Sequence, residues 1–445
     1  MKRLQLPILL GSILLAFTAC DDNLEIEPAQ SLDTETVFTN ERNVGSVLLG
    51  TYAEAGEDES YGGQLQIMAD LLGSNDFVSW FGTFFQPEEV INKQILVDNT
   101  WVSGYWDNAY ATVNQANLVL DNIGIVTSSD AERDRIEGEA RFLRALTYFD
   151  LVRHFGSSDM GVPLRTTGVT QFETGLEIER SSTSEVYDLV ISDLERAAEA
   201  LPETNSFFAD RFSAIGLLAR VHLQLGNYEE ALEAANTVIT ESDHTLTATF
   251  ADAFNNDANS TEDLFAFQVT SQGGDNDLIV HYASEGNGGR GGDIAIRDTY
   301  LELFGEGDER GEFFYIGDFG DMLTSKYTNQ FGNIPVIRLA EMYLIRAEAN
   351  LELDSEEGAT VVEDLNTIRG RSGAELLGDN ADIDVNFILN ERFRELGFEG
   401  FFVHDFRRLG LSVDGFEADA NELVFPIPQS ERDTNPVIDQ NPGYN

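Results

Sequence analysis

The sequence has very few cysteines and very few lysines. Its single thiol, Cys20, excludes an intramolecular disulfide and a metal site built from several cysteines. Only Lys2, Lys93 and Lys326 are lysines, and 27 Lys and Arg stand against 79 Asp and Glu, for a formal net charge of −52. Nucleic-acid binding needs a basic surface, so we expect no nucleic-acid partner. The charge indicates a well-solvated acidic surface suited to salty surroundings.

The common catalytic motifs are also missing. The five histidines form no H-E-x-x-H pair, and no G-x-S-x-G nucleophile turn is present. The stretch "GNGGRGGD", residues 286–293, lacks the G-K-[ST] ending of a phosphate loop, so we interpret it as a flexible loop. We therefore expect no enzymatic activity and no cofactor. A structural calcium ion stays an open alternative, because "NNDANSTED" (255–263) and "DNADID" (379–384) cluster oxygen ligands without the glycine and glutamate of an EF-hand.

Long hydrophobic runs are absent except near the start of the chain. Residues 4–17 are mostly apolar, follow Lys2 and Arg3, and are too short to span a bilayer comfortably. This layout is typical of a secretory signal, although a buried N-terminal helix with a core cysteine is the alternative. The ending Thr18-Ala19-Cys20 resembles a bacterial lipoprotein signal, with Phe17 where Leu is usual.

By that resemblance, residues 1–19 are removed, Cys20 carries the lipid, and residues 20–35 form a tether. Two or more acyl chains are needed for stable anchoring, because one alone binds marginally. Asp21 and Asp22 resemble the export signal of surface lipoproteins in Bacteroidetes. We expect a lipid-anchored protein on the outer face of the outer membrane.

Much of the remaining chain has helical periodicity. Apolar residues recur at helical spacing in 131–156 and again in 184–201, which Pro202 ends. A pair of apolar stripes follows in 214–225 and 228–238, separated by Gly226-Asn227, and "LGNYEEAL" resembles the turn of a tetratricopeptide repeat. A third pair begins near residue 335.

Residues 241–334 have a different pattern. "LFAFQV" (264–269) and "DLIVHY" (277–282) are predicted as short strands between turns rich in Gly and Asn. The predicted fold class is mainly α: a tetratricopeptide-like scaffold of helix pairs packed against a loop-rich half with a few short strands.

Several motifs in order resemble the SusD/RagB family. These include "PVIRLAEMYLIRAEA" (335–349), "LNTIRGRSG" (365–373), "ILNERFRELGFEGFFVHDFRRLG" (388–410) and "FPIPQSERDTNPVIDQNPGY" (425–444). Upstream, "EPAQSLDTETVFTNERNVGSVLLGTY" (27–52), "WDNAYATVNQAN" (106–117) and "GEARFLRALTYFDLVRHFG" (138–156) are similar to the family's beginning. The resemblance implies one domain over residues 36–445, with an N-terminal part to about 240 and a C-terminal part from about 241. It also implies four repeat-like helix pairs.

The resemblance further implies a non-catalytic surface lipoprotein that captures oligosaccharide and delivers it to a SusC-like TonB-dependent barrel. The alternatives are a peptide-capturing relative, a surface glycoside hydrolase, and a scaffold whose repeat groove binds a partner helix or peptide.

Within the C-terminal motifs, most residues are expected to be structural. Glu391 and Arg394 lie at helical i, i+3 spacing and could pair, as could Glu395. Phe398, Phe401 and Phe402 are predicted core residues. Arg407 and Arg408 are expected to neutralise buried acids.

Two loop segments are the candidate ligand sites, because sugars stack their apolar faces on aromatic rings and need polar partners for their hydroxyls. The first is "GSNDFVSWFGTFFQ" (73–86) with the tryptophan and tyrosine that follow it, and the second is 281–290; a small satellite core is the alternative for the first. The predicted contact residues are Asn75, Asp76, Trp80, Phe81, Phe84, Trp101, Tyr105, His281, Tyr282, Asn287 and Arg290.

Overall fold

The computed structural model describes residues 37–171, 175–273 and 276–444. The predicted signal peptide, Cys20 and the tether lie outside the described residues. The helices are α1 Glu41–Ala55, α2 Gln64–Leu72, α3 Phe85–Ile91, α4 Thr100–Asp121, α5 Asp130–Phe155, α6 Thr183–Ala200, α7 Arg211–Leu225, α8 Tyr228–Glu241, α9 Asp277–Tyr282, α10 Asp298–Leu301, α11 Leu339–Leu353, α12 Val361–Arg371, α13 Val385–Leu396, α14 Phe402–Arg408 and α15 Gln429–Thr434. The strands are β1 Val78–Trp80, β2 Asp263–Phe267, β3 Ile294–Ile296, β4 Phe314–Ile316, β5 Met322–Thr324 and β6 Ile334–Arg338. None of the described helices is long and apolar enough to cross a membrane.

The long helices begin and end where local chemistry favours it. Helix α5 begins after Ser129, whose hydroxyl accepts a hydrogen bond from Glu132 N, and helix α6 begins at a capping box between Ser182 and Glu185. Helix α7 ends at Gly226, whose φ of 71° lies in the left-handed region that glycine adopts most readily. The predicted helices over 131–156 and 184–201 are therefore confirmed to within a residue or two.

Each long helix packs against the next long helix along the chain. Helix α1 packs on α4, α4 on α5, α5 on α6, α6 on α7, and α7 on α8. Helix α8 then packs on α11, and α11 on α12. This succession gives four helix pairs, α1–α4, α5–α6, α7–α8 and α11–α12, which confirms the tetratricopeptide-like scaffold.

The strands form three antiparallel ribbons of two strands each: β1 with β3, β2 with β6, and β4 with β5. The prediction of a strand at "LFAFQV" is confirmed by β2. The prediction for "DLIVHY" was wrong, because this segment is helix α9. The Asn276 side chain accepts from Ile279 N and so caps the helix, and Leu278, Ile279 and Tyr282 are buried.

The C-terminal family motifs are mostly buried, as predicted. Phe398, Phe401 and Phe402 lie in the core, and Arg394 Nη1 donates to Glu391 Oε2 at 3.0 Å. Arg408 pairs with Glu348 and Asp405, which confirms its expected role. The expectation for Arg407 was wrong: its guanidinium donates to the backbone oxygen of Arg153 at 2.7 Å and pairs with no carboxylate of the described residues.

Charged side chains at the end of β6, just before β2 and in four other segments of the C-terminal half form what we call the buried ion-pair network. Arg338 at the end of β6 lies at its centre: Nε and Nη2 each donate to Glu399 at 2.8 Å, and Nη1 donates to Glu395 and Glu262. Arg371 joins Glu262 to Glu395 from helix α12. The remaining members are Asp308, Arg310, Lys326 and Glu391.

The acidic and basic side chains of the network stay charged because they lie in direct contact with one another. Burial alone would raise the pKa of Glu395, but Arg371, Arg338 and Arg310 hold the pKa of this carboxyl well below its usual value. The network therefore fixes the loop-rich half onto helices α12 and α13.

Candidate functional site

The β1–β3 ribbon brings the two predicted segments together. Trp80 in β1 lies opposite Ile294 in β3, and Phe81 N donates to Asp293 O at 2.7 Å. The chain between β1 and helix α3 thus lies against the glycine-rich loop that precedes β3. Candidate segments separated by about two hundred residues in sequence form one surface.

His281 lies at the centre of this surface and is buried. Its Nδ1 is 2.8 Å from Asp293 Oδ2. Three rings surround the imidazole: Trp101 at 5.2 Å, Trp80 at 5.6 Å and Phe84 at 6.0 Å between centroids. The fixed imidazole therefore holds three of the predicted aromatic residues in place.

Beyond this buried centre, three phenyl rings face solvent. Phe81 is 63% exposed, Phe84 41% and Phe85 73%. The Arg290 guanidinium carbon lies 4.2 Å from the centroid of the Phe84 ring, as in a cation–π contact. We call Phe81, Phe84, Phe85 and Arg290 the aromatic platform. Exposed apolar patches of this kind mark binding surfaces more often than ordinary solvent faces.

The Arg290 side chain keeps donors available for a ligand. Its Nη2 donates to Thr83 Oγ1 at 3.3 Å, and its Nε is 3.8 Å from Asp293 Oδ2, beyond hydrogen-bond distance. A guanidinium has five N–H groups, so most of its donors are not used by these contacts. The platform therefore combines apolar faces with a cation that can bond sugar hydroxyls.

Gly82 explains how the chain bends at this point. A Cβ at residue 82 would collide with the Trp80 ring and lie 2.8 Å from the carboxyl carbon of Asp293. Without a side chain at this position, the Trp80 indole folds back toward its own backbone and His281. A Gly82→Ala change would displace the indole from this arrangement.

Asp76 lines a separate cleft of about 440 Å³ beside the platform, and Asn75 precedes it in the chain. Both have positive φ, 39° and 67°, in the turn before β1. Asp76 Oδ1 is 3.7 Å from Arg297 Nη2, and Lys93 pairs with Asp414 across the cleft. Trp80 also lines this cleft, so it connects the cleft to the platform.

Three further predicted contact residues lie neither on the platform, nor around His281, nor at the cleft. Tyr105 and Tyr282 are fully buried in the core, and the Tyr282 hydroxyl donates to Asp70 at 3.2 Å. Their rings have no exposed surface on which a ligand could bind, so the prediction that these two tyrosines contact the ligand was wrong. Asn287 is half-buried in the turn after α9, where its amide lies 3.5 Å from Ser284 Oγ.

The sequence analysis missed Phe319, which is 77% exposed at the tip of the β4–β5 hairpin. A Cβ placed on Gly291 would lie 2.9 Å from the Phe319 ring, so this ring covers the backbone next to Arg290. Phe85, which begins helix α3, was seen in the same aromatic segment but was not chosen. The sequence feature that could have indicated an exposed ring at Phe319 is a single phenylalanine between turn-forming residues in "GDFGD".

The two loops that suggested calcium do not assemble a cluster of carboxylates. Among the described residues, the group close enough to share one ion is Glu57, Asp58 and Glu59, on the turn after α1. Burial and the neighbouring Glu59 raise the pKa of Asp58 to about 6. An acidic turn of this kind is common without a metal, so it does not support a calcium site.

Comparison with known proteins agrees with this architecture. A family model described as SusD-like, starch-binding associating with outer membrane, matches residues 22–223, and the SusD family model matches residues 309–422. SusD-like protein P2 of Formosa agariphila is 28% identical, over 97% of this chain and 98% of its own length.

Solved structures share the fold. A SusD superfamily protein of Bacteroides thetaiotaomicron is 24% identical with a TM-score of 0.80, covering 91% of this chain and all of its own. A SusD-like carbohydrate binding protein of Bacteroides vulgatus is 23% identical with a TM-score of 0.75, covering 90% of this chain and 97% of its own. The sequence motifs, the helix pairs and both family models lead to one conclusion: the chain belongs to the SusD/RagB family.

Proposed function

We propose that this protein captures an oligosaccharide on the aromatic platform at the cell surface. Its family supports a surface glycan-binding role associated with the outer membrane. The observation that carries the proposal is the set of three exposed phenyl rings in residues 81–85, one of which, Phe84, is covered by Arg290. Such rings would be costly to leave in water without a partner, since burying one contributes about 2 kcal/mol.

The geometry suits a sugar rather than a purely apolar ligand. Each ring offers a flat apolar face to the C–H side of a pyranose. Arg290, with Thr83 and Asp293 beside it, offers donors and acceptors to the hydroxyls. A few fixed polar groups among apolar ones are typical of a ligand site.

The delivery step follows from the family. We propose that Cys20 carries the lipid anchor, that residues 20–35 form the tether, and that a SusC-like TonB-dependent barrel receives the cargo. SusD-like proteins are generally non-catalytic binding proteins, and we propose the same for this chain. No residue of the platform forms a nucleophile–base pair of the kind that hydrolases use.

The test is calorimetric titration of the soluble chain from Asp21 with a panel of neutral oligosaccharides, followed by analysis for cleavage products. Phe84→Ala is the diagnostic variant, because Phe84 contacts both His281 and Arg290. Phe207→Ala is the matched control, since Phe207 is a similarly exposed phenylalanine that packs on Phe208 instead. We expect the Phe84 variant to bind about tenfold more weakly and the control to bind normally.

Other outcomes would overturn the proposal. Binding that is equally strong in the Phe84→Ala and Phe207→Ala variants would remove the platform as the site. Peptide binding without glycan binding would assign the chain to the peptide-capturing alternative. Cleavage of the glycan by the purified chain would make it a hydrolase.

A further inference from the structure

A second pocket, of about 490 Å³, opens where the C-terminal end of helix α5 meets helix α14. It shares no lining residue with the aromatic platform. Its walls carry three arginines, Arg153, Arg407 and Arg408, which is a high local density in a chain with a net charge of −52. A cationic pocket in so acidic a protein suggests a specific anionic ligand.

The three arginines differ in how they are neutralised. Arg408 bonds Glu348 and Asp405, and Arg153 pairs with Asp150. Arg407 makes its hydrogen bond to a backbone oxygen and has no carboxylate partner within the described ranges. Its positive charge is therefore the surplus charge of the pocket, because a guanidinium stays protonated at neutral pH.

The wall beside Arg407 also contains polar atoms without partners. His404 lines the pocket and is only 3% exposed, and its Nε2 has no hydrogen-bond partner among the residues described. The Nε of Arg153 is unpartnered in the same way. Burial and the adjacent arginines lower the pKa of His404, so its ring is neutral. Buried polar atoms without partners are uncommon and call for an explanation such as a bound ligand.

The mouth of the pocket has a different chemistry. Glu417 and Asp419 line it and are exposed, and the half-buried Gln224 also lines the pocket. Tyr187 contributes a phenol whose pKa burial raises to about 12, so it remains a neutral hydroxyl. Carboxylates, an amide and a phenol are suitable partners for sugar hydroxyls.

We propose that this pocket binds an acidic sugar, with the carboxylate of a hexuronate paired to Arg407 and its hydroxyls bonded to Gln224, Glu417 and Asp419. A single carboxylate satisfies the surplus charge of Arg407. Inorganic sulfate and a phosphate monoester carry more negative charge than a carboxylate and would be repelled more strongly by the two acids at the mouth. The site is thus expected to bind uronates as single residues or chain ends, independently of the platform.

The test is calorimetric titration of the chain from Asp21 with glucuronate and galacturonate, and with glucose and inorganic sulfate as comparisons. Arg407→Gln removes the cation, and Arg42→Gln removes an exposed cation on helix α1, which leaves the same net charge. We expect uronate affinity to fall about tenfold or more in Arg407→Gln and to stay unchanged in Arg42→Gln and Phe84→Ala. Glucose is expected to bind at least about tenfold more weakly than either uronate.

Because Arg407 also holds the Arg153 backbone, its variant could fail to fold, and circular dichroism would show this. Gln224→Ala then serves as the second variant, since the Gln224 side chain makes no hydrogen bond with the described part of the chain and its loss should still weaken uronate binding. Absence of uronate binding to the unsubstituted chain would overturn the proposal. So would uronate binding that survives in Gln224→Ala and in a folded Arg407→Gln, or preferential binding of sulfate.

Discussion

The buried ion-pair network and the aromatic platform use the same residue types for opposite purposes. In the network, the Arg338 guanidinium carbon lies 5.0 Å from the centroid of the Phe254 ring, and Lys326 Nζ lies 4.6 Å from it. On the platform, the guanidinium of Arg290 covers Phe84 at 4.2 Å. Both regions therefore place a cation over a phenyl ring.

The two regions differ in what else the cation contacts. Arg338 donates to three different glutamates, and Lys326 donates to Glu399 at 2.6 Å. Arg290 has its nearest carboxylate at 3.8 Å and one hydroxyl at 3.3 Å. A charge removed from water must be neutralised by the protein itself, whereas a charge at the surface can keep its donors for a ligand.

This difference distinguishes scaffold from site in this family member. The residues that carry the family resemblance, such as Arg338 and Glu395, are largely buried in the network. The residues that are exposed on the platform lie in segments outside those motifs. The motifs therefore indicate how the chain folds, and the loops indicate what it binds.

The largest effect is expected from Arg338→Met, which tests whether the network stabilises the fold. This change leaves Glu262, Glu395 and Glu399 without their shared cation, so unfolding should become easier by about 5 kcal/mol. The measurement is urea unfolding followed by circular dichroism. Glycan affinity of the folded fraction should not change.

Two further variants test whether the loss of stability in Arg338→Met depends on the shape and the burial of the cation. Arg338→Lys keeps the charge and loses the planar fork, so its loss of stability should be intermediate. Arg196→Met removes an exposed cation that pairs with Glu137 at 2.9 Å, and it should cost less than about 1 kcal/mol. Equal losses in Arg338→Met and Arg196→Met would contradict the distinction between buried and exposed charges.

A pair of phenylalanine variants compares the two regions directly. Phe402→Ala opens a cavity among the rings of Phe77, Phe393 and Phe398, and we expect it to cost about 4 kcal/mol of stability. Phe85→Ala removes a ring that is mostly in water, so its cost should be below about 0.5 kcal/mol while glycan binding weakens. A large loss of stability in Phe85→Ala would mean that the platform is a satellite core, which was the alternative for this segment.

Much of the fold could be predicted from periodicity and capping. The stripes of α5, α7 and α8 and the glycine at 226 gave helix positions close to the observed ones. Helix α9 was missed because its six residues are too few to show a helical period. The Asn276 cap that decides its conformation was not considered.

The candidate site was only partly predictable. Aromatic residues outside a helical stripe drew attention to the platform segment, whose Phe81, Phe84 and Phe85 are exposed, and the structure places it against the segment at 281–290. Exposure could not be predicted for single residues, because Tyr105 and Tyr282 have the same chemistry as ligand-contacting tyrosines but are buried. Phe319 was missed because its position next to Gly291 depends on how the β4–β5 hairpin packs against β3, a contact that the local sequence does not reveal.

A buried acid that the network does not neutralise extends the comparison. Asp263 begins β2 and follows Glu262 directly, but its Oδ1 has no partner among the described residues, and its Oδ2 accepts from Ser260 N at 2.7 Å. Burial raises the pKa of Asp263 to about 7, with Ser260 and Arg338 opposing and Glu262 adding to the increase. A buried carboxylate that lies beside the network is therefore not neutralised by it, because neutralisation needs direct contact with a cation.

The raised pKa of Asp263 sets the sign of its pH dependence. In the unfolded chain this carboxyl ionises near about pH 4, while in the folded chain it keeps its proton until about pH 7, so stability is lost as the pH rises between those values. Asp263→Asn removes this titration and should gain about 4 kcal/mol relative to the unsubstituted chain between about pH 4 and pH 8. Urea unfolding of both chains at the two pH values measures how the difference in their free energies of unfolding changes with pH. Any pH-independent cost of the asparagine amide to stability cancels in this comparison. If the stability difference between the two chains is the same at both pH values, Asp263 is ionised in the folded protein. Arg338 would then neutralise Asp263 from a distance, as it neutralises Glu262 by contact.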